Sequence, residues 1–199
     1  MFIVFEGIDG SGKSTQVKLL SKFLTKNGYA CVVTREPGGT PFAESLRPMI
    51  LHDLMETMSR LLLIVSARVD HCNKVILPAL KEGKIVICDR FIYSTLAYQG
   101  YGEKIDLQTI LNLHRLSGCL VEPDLTFLLF GSGRKKLGRD NFESMSEECL
   151  LEICMGYEKI AHTYSNVHTI KRMGVGRTSN EIIRIVQGKI GEKQTSSCK

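Results

Sequence analysis

The chain has 199 residues, of which 43% are apolar and 24% are charged, and its formal net charge is +5. This length fits one domain with a sizeable core, and no apolar run approaches the ~18 residues that a membrane-spanning helix requires. Met1 is followed directly by strand-like residues, so we expect neither a signal peptide nor a transit sequence. The seven cysteines form no C-x-x-C pair, which favours a reduced, cytoplasmic protein. Either a nucleic acid or a polyanionic small substrate would account for the surplus charge, but the cations are scattered along the chain.

The N-terminal segment combines a strand with a phosphate-binding pattern. The apolar run at residues 2–5 predicts a buried strand of a parallel sheet. It leads into G-x-x-x-x-G-K-[ST], which comprises Gly7, Ile8, Asp9, Gly10, Ser11, Gly12, Lys13 and Ser14, with Thr15 after it. The spacing of Val17, Leu20 and Leu24 predicts a helix whose N-terminus favours phosphate. Lys13 is expected to contact the β- and γ-phosphates and Ser14 to bind Mg²⁺. The pattern therefore predicts a nucleoside triphosphate site rather than a plain glycine-rich turn.

The rest of the chain alternates between predicted strands and helices. Further strands are predicted at residues 30–34, 84–88, 125–130 and 167–170. Helices are predicted at residues 13–27, 40–50, 55–73 with a continuation kinked at Pro78, 91–99, 106–114, 147–164 and 180–187. Residues 100–102 are expected to form a loop, and residues 191–199 a flexible polar tail. The alternation predicts one domain at residues 1–190, built as a parallel α/β sandwich.

Charged residues follow the predicted strands at one edge of the sheet. Asp89 ends an apolar strand, where its carboxylate is expected to hold Mg²⁺ or to orient an attacking oxygen. Four arginines flank predicted element ends on the same side: Arg35, Arg47, Arg68 and Arg90. Any one of them alone could equally be a solvated surface cation. Together they predict a second anionic ligand, a phosphate acceptor, and therefore a kinase rather than a hydrolase.

Several segments taken together make the chain similar to bacterial thymidylate kinases. They are the phosphate loop, Arg35-Glu36-Pro37-Gly38-Gly39-Thr40, Ser66-Ala67-Arg68, Asp89-Arg90 and Ser94-Thr95-Leu96-Ala97-Tyr98-Gln99-Gly100. The resemblance spans nearly the whole chain, and the combination is highly specific. It implies the P-loop nucleoside monophosphate kinase fold, a three-layer sandwich with a five-stranded parallel sheet in the order 2-3-1-4-5. It also implies transfer of the γ-phosphoryl group of ATP to dTMP, with Mg²⁺, by a homodimer.

The resemblance further implies roles for individual residues of the acceptor site. Asp9 would contact the sugar 3′-hydroxyl, Arg35 and Glu36 would line the monophosphate site, and Pro37 would bend that loop. Arg47 and Arg90 would hold the dTMP phosphate, and Arg68 would donate to a thymine carbonyl. Ser94, Thr95 and Gln99 would read the base edge, while Tyr98 would exclude a ribose 2′-hydroxyl.

Two positions depart from the pattern of the family. Ile64 stands where the family commonly stacks the thymine ring on phenylalanine, so aliphatic contact replaces a stacking contribution of ~0.5–1.5 kcal/mol. The segment at residues 131–143, the predicted lid, is short, and Gly131 stands where an acid often follows the fourth strand. The candidates for the catalytic residues are Lys13, Asp89, Arg134 and Arg139, with Lys135 and Lys136 assisting, because in-line transfer requires positive charge on the equatorial oxygens. A solvated basic loop and a nucleic-acid patch are the alternatives for the lid.

Other interpretations remain open at this point. A kinase for another nucleoside monophosphate or for a nucleoside would share most of these features, as would a nucleotide-binding switch or a DNA-stimulated ATPase. His114, on an apolar helix face, is interpreted as a packing residue. The helix from Met55 is apolar on more than one face, which predicts that a dimer mate covers part of it.

Overall fold

The structure, a computed structural model, describes residues 1–130, 146–171 and 173–196. Its strands are β1 (Phe2–Glu6), β2 (Cys31–Arg35), β3 (Ile85–Asp89), β4 (Leu125–Leu129) and β5 (Val167–Ile170). They form one parallel sheet in the order β2-β3-β1-β4-β5, which confirms the predicted fold and strand order.

Helices cover both faces of this sheet. They are α1 (Lys13–Lys26), α2 (Pro41–His52), α3 (Thr57–His71), α4 (Leu77–Lys81), α5 (Ile92–Thr95), α6 (Leu107–Leu116), α7 (Glu147–Thr163) and α8 (Val175–Ser196). Side chains of β1 alternate between two cores, as a pleated strand requires. Phe2 and Val4 pack towards α3 and α7, whereas Ile3 and Phe5 pack towards α1 and α8. Because one core lies on each face of the sheet, the sheet is the middle layer of the predicted three-layer sandwich, with helices on both sides.

A smaller apolar cluster joins α2 to α3. Ala43 and Ile50 of α2 pack against Ile64 and Ala67 of α3. The helix α2 begins as predicted, with Thr40 at its N-cap accepting from the backbone N–H of Ala43 and with Pro41 at the first turn. This pair of helices forms one side wall of the cavity described below.

The carboxyl ends of the central strands meet at one edge of the sheet. Phe5 lies in register with Asp89, and Glu6 with Leu128. Directly after Glu6, Gly7 has φ 130°, and a Cβ at this position would lie 2.3 Å from the carbonyl oxygen of Leu129. Only glycine can therefore occupy this close approach between the phosphate loop and β4. The phosphate loop and the ends of β3 and β4 are thus held side by side.

Three segments differ from the predicted elements. Helical structure continues without interruption past α3 through a π-helical turn, Cys72–Ile76, into α4. Because Pro78 has no N–H for a bond to the fourth residue before it, a change of winding just ahead of it is the expected adjustment. A second π-helical segment, Leu96–Gly102, includes residues that were predicted to form a loop.

The last helix is longer than predicted at both ends. It begins at Val175 instead of residue 180, and it continues to Ser196, so residues 191–196 are helical where a polar tail was expected. Its apolar face extends beyond the predicted end, since Ile190 packs against the core that contains Ile182 and Val186. Lys193 also pairs with Asp124 at 2.6 Å, which ties the end of the helix to the sheet. Within the described ranges, no helix has both the length and the apolar character needed to cross a bilayer.

Candidate active site

The phosphate loop lies between β1 and α1 and encloses the side chain of Lys13. Its Nζ donates to the carbonyl oxygens of Gly7 and Ile8, both at 2.9 Å, and only 6% of the side chain is exposed. Gly10 and Gly12 have positive φ, which lets the backbone curl around this ammonium group. Burial and the nearby Arg90 lower the pKa of Lys13 to about 8. An anionic ligand in the loop would favour the charged form of Lys13.

The two predicted metal ligands are neighbours in the structure. The hydroxyl of Ser14, in the first turn of α1, donates to Oδ2 of Asp89 at 2.7 Å. Asp89 is the last residue of β3, so the strand register brings its carboxylate to the start of α1. A hydroxyl and a carboxylate are oxygen donors of the kind that Mg²⁺ takes, with phosphate oxygens and water completing its shell. The residues present therefore fit a magnesium ion.

Arg90 connects the phosphate loop to the predicted acceptor site. Its Nη2 lies 2.7 Å from Oδ1 of Asp9, a residue of the loop. Its Nη1 donates to the Ser94 hydroxyl at 3.1 Å, and its backbone has φ 72°. Burial opposes a charged guanidinium, but Tyr98 and Asp9 outweigh it and raise the pKa of Arg90 well above its ordinary value. Burial also opposes the charged form of Asp9 and would raise its pKa, yet Arg90 and Lys13 hold this pKa below its usual range.

A buried carboxylate supports the segment that carries Arg90. Glu6, at the end of β1, is 1% exposed. Its Oε1 accepts from the backbone N–H groups of Phe91 at 2.9 Å and Ser94 at 3.1 Å. Its Oε2 accepts from the hydroxyls of Ser94 and Tyr157. Burial raises the pKa of Glu6, although the hydrogen bond from Ser94 opposes this. Neither Glu6 nor Tyr157 was predicted as a site residue; an acid at the end of an otherwise apolar strand is the feature that could have indicated Glu6.

A cavity of about 710 Å³, including its open mouth, lies beside this network. All the residues predicted to bind the acceptor line it except Arg35. Arg35 is not among the lining residues, and its guanidinium group is paired with the exposed carboxylate of Glu44 at 2.9 Å. Arg47 does line it, and its Nη1 donates to the carbonyl oxygen of Pro37 at 2.6 Å, after a cis peptide bond between Glu36 and Pro37.

One wall of the cavity is apolar. Ile64, which stands at the predicted departure from the family, lies in this wall with Ala67 of α3 and with Ile50 and Leu51 of α2. Gly38 and Phe91 also line the cavity, and neither was predicted as a site residue. Ile50 could have been predicted to line the cavity, because it lies on the apolar face of the helix that follows the predicted monophosphate loop. The flat apolar face of a ligand could pack against these aliphatic side chains.

The base of the cavity holds a buried polar cluster around Arg68 and Glu36. Nε of Arg68 donates to Oε2 of Glu36 at 2.6 Å, and Nδ1 of His71 lies 2.9 Å from Oε1. Nη2 of Arg68 donates to the Thr95 hydroxyl at 3.0 Å. Burial alone would raise the pKa of Glu36, but Arg68 and His71 hold it below the ordinary value. His71 was not predicted as part of any site.

His114 has a polar partner that was not predicted. It was interpreted as a packing residue, and it is fully buried. In addition, its Nε2 lies within hydrogen-bonding distance of Nη1 of Arg68. The predicted lid residues Arg134, Lys135, Lys136 and Arg139 lie outside the described residues.

The chain is similar to known proteins over nearly its whole length. Residues 5–190 match the family model for thymidylate kinase. The thymidylate kinase of Neorickettsia sennetsu is 81% identical over 199 residues, covering all of both chains. That of Wolbachia pipientis from Culex pipiens is 44% identical, covering 95% of this chain and 97% of the relative. A crystal structure of thymidylate kinase from Ehrlichia chaffeensis matches with a TM-score of 0.82 at 36% identity, covering 94% of this chain and 98% of that one. The chain therefore belongs to the thymidylate kinase family.

Proposed function

We propose that the protein transfers the γ-phosphoryl group of ATP to dTMP, giving ADP and dTDP. The observation that carries this proposal is the 2.7 Å contact between Asp9 and Arg90, through which the phosphate loop and the arginine-lined cavity share one rim. An oxygen of the dTMP phosphate forms a bond to the γ-phosphorus as the bond from that phosphorus to the ADP oxygen breaks. Such transfer requires positioning and charge neutralisation more than covalent chemistry by the protein.

The acceptor phosphate is held by guanidinium groups. Arg47 and Arg90 both line the cavity, and Arg90 adjoins the phosphate loop. The planar fork of arginine suits the oxygens of a phosphate monoester, so we assign this phosphate to these two residues. The base then lies against the apolar wall that contains Ile64, where Arg68, Thr95 and Gln99 offer polar groups to its edge.

The donor triphosphate is held by the phosphate loop. Backbone N–H groups of the loop and the N-terminus of α1 offer partial positive charge, and Lys13 adds a full charge for the β- and γ-phosphates. Ser14 and Asp89 would hold Mg²⁺, which would neutralise part of the phosphate charge. The carboxylate of Asp89 also fixes the Ser14 hydroxyl before any ligand binds.

We assign the remaining positive charge at the transferring group to Arg134 and Arg139. The end of β4 supports this assignment, because Leu129, two residues before the predicted lid, lies directly against Gly7 of the phosphate loop. The chain therefore enters the predicted lid beside the donor phosphates. In-line transfer places negative charge on the equatorial oxygens, which arginine side chains are suited to stabilise.

We also propose a homodimer that works in the cytoplasm, with ATP and dTMP as its ligands rather than a nucleic acid or a membrane. The exposed apolar side chains of Leu54, Met58 and Leu62, on or next to α3, support a partner on that side. The free thiols among the described cysteines suit a reducing compartment.

The test is a coupled assay that detects ADP, run with ATP and each of dTMP, dUMP, dCMP, dGMP and thymidine. We expect dTMP to have the highest kcat/KM. Arg90→Met should raise KM for dTMP by about 100-fold, the loss of one or two charge-assisted hydrogen bonds, with KM for ATP changed less than about threefold. Arg184→Met, which removes an exposed arginine of α8, is the matched control. Equal losses for both substrates, or preference for another acceptor, would contradict the proposal.

A further inference from the structure

One buried guanidinium group at the base of the cavity is held by side chains from separate elements. Arg68 of α3 is 2% exposed and contacts Glu36 after β2, Thr95 of α5 and His114 of α6. The ring of Phe91 lies 4.9 Å from its Cζ. A guanidinium group has more N–H donors than these three contacts use, and Arg68 lines the cavity. The remaining donors are available to a ligand.

Glu36 does not fix this group by itself. Its Oε2 accepts from Nε of Arg68, but its Oε1 faces Nδ1 of His71 at 2.9 Å. The ion pair therefore has only one hydrogen bond. It lacks the two parallel hydrogen bonds of a bidentate pair, which fix the orientation of an arginine relative to a carboxylate. The two terminal nitrogens are held instead by Thr95 and His114, one on each.

The hydrogen-bond pattern determines what His114 offers to Arg68. Nδ1 of His114 lies 2.7 Å from the carbonyl oxygen of Ile110, one turn earlier in α6. A carbonyl can only accept, so Nδ1 carries the proton and Nε2 of the neutral ring presents a lone pair. Burial and Arg68 lower the pKa of His114 to about 4, so the ring is neutral at pH 7. His114 is thus an acceptor that matches the Nη1 donor of Arg68.

We propose that His114 is a positioning residue of the acceptor site, which fixes the rotation of the Arg68 guanidinium group so that its free N–H groups face a carbonyl of the bound base. This inference rests on the proposed function. Arginine can donate but not accept, so a correctly held Arg68 favours a base edge with a carbonyl over one with an amino group. Thymine and cytosine differ in this way at the 4-position. His114 therefore contributes to base selectivity without touching the substrate.

The experiment compares two substitutions by their effect on selectivity. His114→Met removes the acceptor in a similar volume, whereas His114→Gln keeps an acceptor oxygen near the position of Nε2. For each variant, kcat/KM is measured for dTMP and for dCMP. We expect the dTMP/dCMP ratio to fall by about tenfold in His114→Met, as the loss of one hydrogen bond to a charged group allows, and to stay within about threefold in His114→Gln. An unfolded fraction lowers both values alike and cancels in the ratio.

A second arm tests whether the effect passes through Arg68. In an Arg68→Met background, His114→Met should leave the ratio unchanged, because coupled residues are not additive. A wild-type enzyme that prefers dTMP, with a ratio that His114→Met does not move, overturns this inference alone. The same holds if His114→Gln loses as much selectivity as His114→Met. A wild-type enzyme that does not phosphorylate dTMP refutes the proposed function and this inference with it.

Discussion

Replacing Glu6 with leucine should destabilise the fold, although the two side chains are similar in size. The substitution removes the acceptor for the backbone N–H groups of Phe91 and Ser94, which bond to Oε1 at 2.9 and 3.1 Å. The N–H of Ser94 keeps a second acceptor, the carbonyl oxygen of Phe91 at 3.2 Å, so only the buried N–H of Phe91 is left without a partner, at a cost of ~1–3 kcal/mol. The hydroxyls of Ser94 and Tyr157 can turn towards each other, since their oxygens lie 3.0 Å apart, and add little. For a chain of this size the melting temperature would fall by about 2–10 °C.

The measurement is urea unfolding followed by circular dichroism at pH 7, with Glu6→Gln as the matched control. One amide oxygen in the place of Oε1 retains both backbone acceptances, and the amide N–H groups can donate to the two hydroxyls. We therefore expect Glu6→Gln to lie within about 1 kcal/mol of the wild type. A leucine variant as stable as the wild type would refute the reasoning. Equal losses for leucine and glutamine would assign the effect to charge instead of to the acceptor.

Two further predictions concern the cluster at the base of the cavity. Gly39 has φ 87°, and a Cβ there would lie 2.4 Å from Nε2 of His71, so Gly39→Ala should cost about 2–5 kcal/mol of unfolding free energy. Gly118→Ala is its control in urea unfolding, expected to cost about 1–2 kcal/mol, because φ is 69° but no atom lies within 4 Å; equal costs would contradict the clash. In the folded chain the pKa of His114 is lowered to about 4, whereas in the unfolded chain it is about 6.5. As pH falls from about 6.5 to 4, the unfolded chain therefore takes up a proton at this histidine before the folded chain does, and the folded state loses stability. The wild type should therefore lose about 3 kcal/mol more than His114→Met over this range, and parallel pH profiles would refute the assignment.

The parts of the fold that could be predicted from the sequence are those that depend on residues adjacent in the chain. The apolar run of β1 and the glycine pattern after it are contiguous, so they predict a strand, a loop and a helix without knowledge of the rest of the chain. The end of α8 was missed for the opposite reason. Its polar composition predicts a tail, but the packing of Ile190 and the pairing of Lys193 with Asp124 depend on tertiary contacts. Long-range contacts therefore overrode local propensity there.

The candidate site divides in the same way. Arg35, Arg47, Arg68 and Arg90 could be predicted as a set because they flank predicted element ends on the same side, and all of them except Arg35 line the cavity. The buried partners that orient them could not be predicted. Glu6 and Ser94 are 88 positions apart in the chain, and Arg68 and His114 are 46 apart. Burial of His114 could be predicted from its helix face, but the apolar pattern of a helix does not indicate which polar group its ring will meet.

The arrangement of β1 explains how one strand can serve both halves of the proposed reaction. Glu6 and Gly7 are consecutive residues, yet Glu6 holds the backbone of Phe91 and Ser94 on the acceptor side, whereas Gly7 begins the phosphate loop and abuts Leu129 of β4. Arg90 is therefore held near the loop by its ion pair with Asp9 and, through Phe91 and Ser94, by the hydrogen bonds of Glu6. In-line transfer tolerates little error in the relative placement of donor and acceptor, and a shift of ~1 Å can cost about 100-fold in rate. The four hydrogen bonds that the buried Glu6 accepts restrict such shifts.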